Sequence, residues 1–227
     1  MGLGLIMKKL IHKICFVPLF ISFTSVYGAS CWQFDVEDCR VKAEQGHLDA
    51  LYNLGVMYYS GQGVSRDYKE AVTWYKKSAA RGHLRALYNL GLMSVHGQGV
   101  SQDYQEAFRW FKRSAEQGYT PAKNNLGVMY YNGEGVPQDY QEAIKWFRQA
   151  TEEGDADAPF HLGEMFRSGQ GVIKDYGLAY LYLTIALLKG NKSASQSREM
   201  LSPLMTAAEF KEAQDLARHW LRNHEHI

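Results

Sequence analysis

The sequence predicts an all-α solenoid of stacked antiparallel helix pairs, and three observations predict it. The chain repeats itself every 36 residues from about Ala43 to Ala186, with Gly55, Gly91, Gly127 and Gly163 in one column and Ala71, Ala107, Ala143 and Ala179 in another. Each unit carries two apolar stripes of helical spacing, separated by a Gly-x-Gly turn that is Gly61-Gln62-Gly63 in the first unit. The second stripe opens on an aspartate and closes on a glycine, Asp67 and Gly82 at their first occurrence. A fixed period of this length means that each unit buries its apolar face only against its neighbours, and that the stack offers a long surface for binding.

Residues 1–28 read as a secretory signal peptide. Lys8, Lys9 and Lys13 precede the apolar run Ile14 to Phe23, which is short for a bilayer span, and Val26 and Gly28 supply the small residues a signal peptidase reads. Met7 offers a second start beside Met1, and a retained membrane anchor is the competing reading of this segment. Residues 29–42 form an N-terminal cap segment. Cys15 leaves with the leader, so Cys31 and Cys39 are the thiols that remain, and in an oxidising compartment they read as a disulfide stapling the N-terminal edge of the stack. A lipoprotein signal wants a Leu-like residue three places before its cysteine, where this chain has Gly28, so lipid anchoring at Cys31 is not expected. Neither cysteine has a histidine at short spacing, which argues against a metal or catalytic thiol.

Four units follow, 43–78, 79–114, 115–150 and 151–186. In the first, Leu51, Leu54 and Tyr58 make the apolar stripe of one helix over Leu48 to Tyr59. Gly55 lies inside that helix, where glycine costs about 1 kcal/mol against alanine, so its return in each unit calls for a packing reason. Close approach supplies one: without a Cβ there, Trp74 or Tyr75 of the second helix can rest on the backbone of the first. Asp67 caps the second helix, with Glu70 placed to complete a capping box; Asp103 with Glu106 and Asp139 with Glu142 repeat the pair, while Asp175 is followed by Leu178. Ala71, Trp74, Tyr75 and Ser78 form its buried stripe, and Gly82 and its equivalents end it in the left-handed conformation. Residues 187–227 hold a partial fifth unit and an amphipathic helix, Thr206 to Trp220, with Phe210, Ala213, Leu216, Ala217 and Trp220 on one face; it reads as a C-terminal cap over the open edge of the last repeat.

Charge excludes some functions. The formal net charge is +1, and without Lys8, Lys9 and Lys13 the chain carries 22 basic against 24 acidic residues. Phosphate binding needs a concentrated basic stripe, so nucleic acid is not an expected partner. Gly61-Gln62-Gly63 lacks the third glycine of a nucleotide-binding loop and follows a helix rather than a strand. His47 and His83 share one column and read as structural or surface residues. His219, His224 and His226 read as solvated side chains of a frayed tail rather than a metal site. No catalytic set, cofactor site or metal site is assigned.

The unit Ala43-Glu44-Gln45-Gly46, Ala50-Leu51-Tyr52-Asn53-Leu54-Gly55-Val56-Met57-Tyr58, Gly61-Gln62-Gly63-Val64, Asp67-Tyr68-Lys69-Glu70-Ala71 and Trp74-Tyr75 resembles the Sel-1-like repeat, a relative of the tetratricopeptide repeat. The resemblance covers four full copies, 43–186. It implies a right-handed superhelical solenoid, a non-enzymatic protein-binding role, and a concave face lined by the first helix of each pair. Carried over by position, that face comprises Tyr52, Val56, Tyr59, Arg85, Tyr88, Leu92, His96, Asn124, Tyr131, Asn132, Phe160, Glu164 and Arg167, flanked by Asp49, Ser60, Val95, Pro121, Val128, Asp157 and Ser168. These are positions at which the repeats differ from one another. Exported relatives include inhibitors of lipase effectors delivered by antibacterial secretion systems, so the resemblance implies a periplasmic immunity protein whose partner is a toxic phospholipase. An envelope assembly scaffold is the alternative, and a cell-wall-directed hydrolase a third, weakened because the per-repeat disulfides of such relatives are absent here.

Overall fold

The computed structural model describes residues 35–223, and among these there are eleven α-helices and no strand. A short helix α1 (Val36–Glu44) leads into four pairs: α2 (Leu48–Ser60) with α3 (Tyr68–Ala79), α4 (Leu84–His96) with α5 (Tyr104–Glu116), α6 (Thr120–Asn132) with α7 (Tyr140–Glu152), and α8 (Ala158–Ser168) with α9 (Tyr176–Leu188). Two further helices, α10 (Ser193–Glu199) and α11 (Ala207–Asn223), complete the order. Each pair packs against the next along the chain, which is the architecture of a solenoid of antiparallel helix pairs.

The glycine column inside the first helices has the packing role expected of it, and the partner is Tyr75 rather than Trp74. A Cβ on Gly55 would lie 2.4 Å from the Tyr75 ring, on Gly91 2.5 Å from Phe111, on Gly127 2.5 Å from Phe147, and on Gly163 2.7 Å from Leu183. Tyr75, Phe111, Phe147 and Leu183 are buried. The tryptophans one position earlier face the preceding unit instead: Trp110 packs on the core formed by α3 and α4, and Trp146 on that of α5 and α6. Within a pair, the Ser78 hydroxyl donates to the Leu48 carbonyl at 3.3 Å and Ser114 to Leu84 at 2.9 Å, tying the end of the second helix to the start of the first.

The turns use their two glycines differently. Gly97 stops α4 in the left-handed conformation, φ +64°. Gly99 also has positive φ, and a Cβ there would stand 2.3 Å from the Tyr68 carbonyl oxygen, so the turn lies directly on the start of the preceding second helix. Gly135 meets Tyr104 in the same way.

The capping boxes form by halves. Asp67 accepts from the Lys69 and Glu70 amides, and Asp103, Asp139 and Asp175 cap their helices likewise. The reciprocal bond from the glutamate is replaced, because each capping residue donates its own N–H to a carbonyl of the first helix: Asp67 to Tyr58 at 2.8 Å, Asp103 to Ser94 at 2.9 Å, Asp139 to Tyr130 at 2.9 Å and Asp175 to Phe166 at 3.0 Å. Glu106 and Glu142 turn to Arg109 and Lys145. Leu178 therefore sacrifices no cap in the fourth unit. A complete box does form at the last helix, where Thr206 N donates to Glu209 Oε2 at 2.7 Å and Glu209 N to Thr206 Oγ1 at 3.3 Å.

At the C-terminal end, the stacking position on the fourth unit is taken by α10 and the residues after it, with Ala194 and Leu201 buried against Phe166, Ala179, Leu183 and Ala186. Helix α11 lies instead on the outer face of α9, packing Ala217 and Trp220 onto Leu181 and Ile185. That placement explains a change of residue type. The positions that hold Thr73, Arg109 and Lys145 in the earlier second helices hold Leu181 in α9, and those of Lys77, Arg113 and Gln149 hold Ile185. Ala213 and Ala217 are buried in this contact, whereas Leu216 is 40% exposed.

The expected signal segment 1–28, Cys31 and the tail histidines 224 and 226 lie outside the described residues. Cys39 is buried and disulfide-bonded; its pairing with Cys31 is a proposal.

Two substitutions check this packing. Gly91→Ala should destabilise the fold by about 1–3 kcal/mol in urea denaturation, since the added methyl has no room beside Phe111. Asp103→Ala should cost about 1 kcal/mol, while Glu106→Ala should cost only a few tenths, because Glu106 does not return a bond to the cap.

Candidate functional site

The residues expected to meet a partner lie on helices α2, α4, α6 and α8, and the structure divides them by accessibility. Tyr59, Arg85, His96 and Asn132 are exposed. Tyr52, Val56, Tyr88, Leu92, Asn124, Tyr131, Phe160, Glu164 and Arg167 are partly buried. Tyr88 packs on Phe111, ring centroids 5.6 Å apart, and meets Tyr119 edge-on at 5.2 Å. Tyr131 donates its hydroxyl to Gln170 Oε1 of the next turn at 2.6 Å, and Tyr59 makes the same bond to Gln98 at 3.2 Å. Glu164 and Arg167 hold each other, with Nη2 donating to Oε2 at 2.6 Å, and Asn132 donates to Glu134 at 3.3 Å. Several of these side chains thus join the repeats together while presenting one edge outward. Tyr88 and Tyr131 belong as much to the stack as to its surface, so they are poor probes of binding alone. The side-chain oxygen of Asn124 is buried with no hydrogen-bond partner among the described residues.

A shallow hollow of about 620 Å³ on this face spans the first three units, walled by Asp49, Tyr52, Asn53, His83, Arg85 and Tyr119. His83 anchors it. Its ring stacks on Tyr52 with centroids 4.5 Å apart, its Nδ1 accepts from the Ala86 amide at 3.2 Å, and its Nε2 lies 3.5 Å from Asp49 Oδ1. This arrangement requires the neutral tautomer with the proton on Nε2, because a proton on Nδ1 would abolish the cap of α4. Burial holds the His83 pKa below its ordinary value, against the opposing pull of Asp49. The shared column of His47 and His83 is accordingly structural at His83, as its place in the repeat implied.

A second column escaped sequence reasoning. The Asn89 amide lies beside the hydroxyls of both Tyr52 and Tyr75, and the Asn125 amide beside that of Tyr88. Burial raises the pKa of all three phenols, with these amides offsetting part of the rise. The signal was present as the recurring neighbours Tyr52-Asn53, Tyr88-Asn89 and Asn124-Asn125. At the same column in the fourth unit His161 stacks on Phe147, centroids 4.8 Å apart, and burial lowers its pKa despite Asp157, Asp155 and Glu164 nearby. Among the described residues no group of three or more His, Cys, Asp or Glu side chains could hold a metal ion, and no helix is long and apolar enough to cross a membrane.

The geometry at His83 fixes a pH dependence. Its folded pKa lies below the unfolded value of about 6.5, so its contribution to stability is complete above pH 6.5 and is lost as pH falls toward the folded pKa. His83→Asn retains a capping acceptor that does not titrate. The difference in unfolding free energy between the native chain and this variant should shift against the native chain between pH 7 and 5.5, as measured by urea denaturation; a constant difference would show that His83 is not buried in its neutral form.

Comparison with known proteins places this geometry. The family model described as Sel1 repeat matches four consecutive segments, 48–83, 84–119, 120–155 and 156–191. No curated protein matches the chain. Among solved structures, a protective antigen of uropathogenic Escherichia coli with an SLR fold is 32% identical with a TM-score of 0.72, over 79% of this chain and 40% of that one. The chain thus spans less than half the length of that relative. A Sel1 repeat protein from Oxalobacter formigenes is 30% identical with a TM-score of 0.70, over 82% of this chain and 74% of that one. An immunity protein from Pseudomonas aeruginosa shares the fold at 20% identity and a TM-score of 0.50, over 85% of this chain and 74% of that one. Four matched repeats in unbroken succession, each folded as a helix pair with the glycine column at its centre, make this chain a member of the Sel1 repeat family.

Proposed function

We propose that this chain acts by holding a partner protein against the face built from its first helices, with no chemistry of its own. Sel1 repeats form a protein-interaction fold. The observation that carries the reading is the contrast between columns. Those that pack the stack stay fixed, as Gly55 and its equivalents do, whereas those on the first-helix face change from unit to unit: one column runs Tyr52, Tyr88, Asn124 and Phe160, another Asp49, Arg85, Pro121 and Asp157. That variation coincides with the hollow walled by Tyr52, His83, Arg85 and Tyr119, where rigid rings and one exposed guanidinium supply the side-chain types that most often anchor interfaces.

The narrower reading is a periplasmic immunity protein, exported by the segment 1–28, stapled by Cys31 and Cys39, and neutralising a lipase-type toxin by covering its active site or its route to lipid. It rests on the leader, on the cysteine pair and on the family's known uses; the likeness to the Pseudomonas aeruginosa immunity protein is one of fold alone.

The test is affinity capture from envelope extract with the chain from Ala29 onward, beside the variant Arg85→Glu, His96→Ala, Asn132→Ala, whose changes fall on exposed residues. The variant should keep its helicity and melting temperature and lose one dominant partner, and a lipase among the captured proteins would establish the immunity role. Retention of every partner by the variant would move the interface to another face, and several weakly held clients would instead point to an envelope scaffold.

A further inference from the structure

Beyond the first-helix face, the junction of α7, α9 and α11 encloses a separate pocket of about 320 Å³. It arises from two irregularities in the repeat. The tryptophan column Trp74, Trp110, Trp146 ends in the smaller Tyr182, and Trp220 enters from α11, outside the repeat, to wall the opposite side. Leu181 and Ile185, the two residues that replace the polar and charged outer ladder of the earlier second helices, form an apolar wall. The rim is cationic: Arg148 and Lys189 both line it, against the single carboxylate of Glu152. Among the described residues, neither side-chain cation is in an ion pair or a hydrogen bond. The Lys189 ammonium stands over the end of α7, 3.8 Å from where a Cβ on Gly154 would lie. Pockets that bind small molecules have this composition, mostly apolar with a few polar groups to fix orientation.

We propose that this pocket binds a medium-chain carboxylate, with its chain along Leu181, Ile185, Tyr182 and Trp220 and its head between Arg148 and Lys189. At about 320 Å³ the pocket lies at the small end of the range of ligand sites, about 300–1,000 Å³, and decanoate is a probe of that size class. The charge of the rim selects an anion over an alcohol or an ammonium of the same length.

Isothermal titration of the full chain with decanoate, decanol and decyltrimethylammonium, all below their micellar concentrations, tests this. Decanoate should bind at one molecule per chain and quench tryptophan fluorescence, with the two other amphiphiles at least tenfold weaker. The double variant Arg148→Gln, Lys189→Gln should weaken decanoate binding at least tenfold, and Ile185→Trp, which fills the pocket and keeps both charges, should do the same. Circular dichroism verifies that both variants fold. Absence of saturable decanoate binding, equal binding of decanol, or undiminished affinity in folded variants would each overturn the assignment.

Discussion

Every unit of this structure depends on one contact, the ring or branched side chain of a second helix lying on the bare backbone of a glycine in the first. With Tyr75 2.4 Å from where a Cβ on Gly55 would sit, no larger residue fits without displacing one helix from the other. The contact fixes the distance within a pair and the rotation of the second helix about its axis. That rotation in turn points the preceding residue, Trp110 or Trp146, back into the core of the unit before. Stacking between units thus follows from packing within them. The glycine itself disfavours a helix by about 1 kcal/mol, an amount more than offset by burying an aromatic ring, worth roughly 1.5–3 kcal/mol.

Once the pairs are set, the faces of the stack acquire different tasks. The second helices turn Arg109, Lys145 and their paired glutamates to solvent, and this outer face becomes apolar only at α9, where α11 covers it. The first helices turn their variable columns outward, yet much of that surface is tied to the stack: Tyr59 and Tyr131 reach the next turn through Gln98 and Gln170, and His83 caps α4 while stacking on Tyr52. A surface held this way is preorganised, which lowers the ordering cost of binding.

The period, the helix pairs, the role of Gly55 and the caps at Asp67 and its equivalents were legible in the sequence, because each follows from local spacing repeated four times. What could not be read depends on which of two chemically suitable groups wins. Tyr75 and Trp74 are adjacent and both aromatic, and only the three-dimensional packing assigns the glycine to Tyr75. Glu70 suited a capping box, but the Tyr58 carbonyl reaches the Asp67 amide first. Asn89 was hidden because a polar residue inside an apolar stripe reads as solvated unless the buried tyrosine hydroxyls beside it are seen. Helix α11 was expected at the open edge; its seat on the outer face of α9 was written in Leu178, Leu181 and Ile185, where the earlier units carry charged or polar residues.

The central claim is that the first helices carry the interface while the second helices carry the stack. Hydrogen exchange of the chain alone and bound to its captured partner, read by mass spectrometry of peptides covering each helix, tests it most directly. The account predicts added protection concentrated in α2, α4 and α6 around Tyr52, Arg85 and Asn124, with α3, α5 and α7 unchanged. Protection confined to the second helices or to the turns would contradict it.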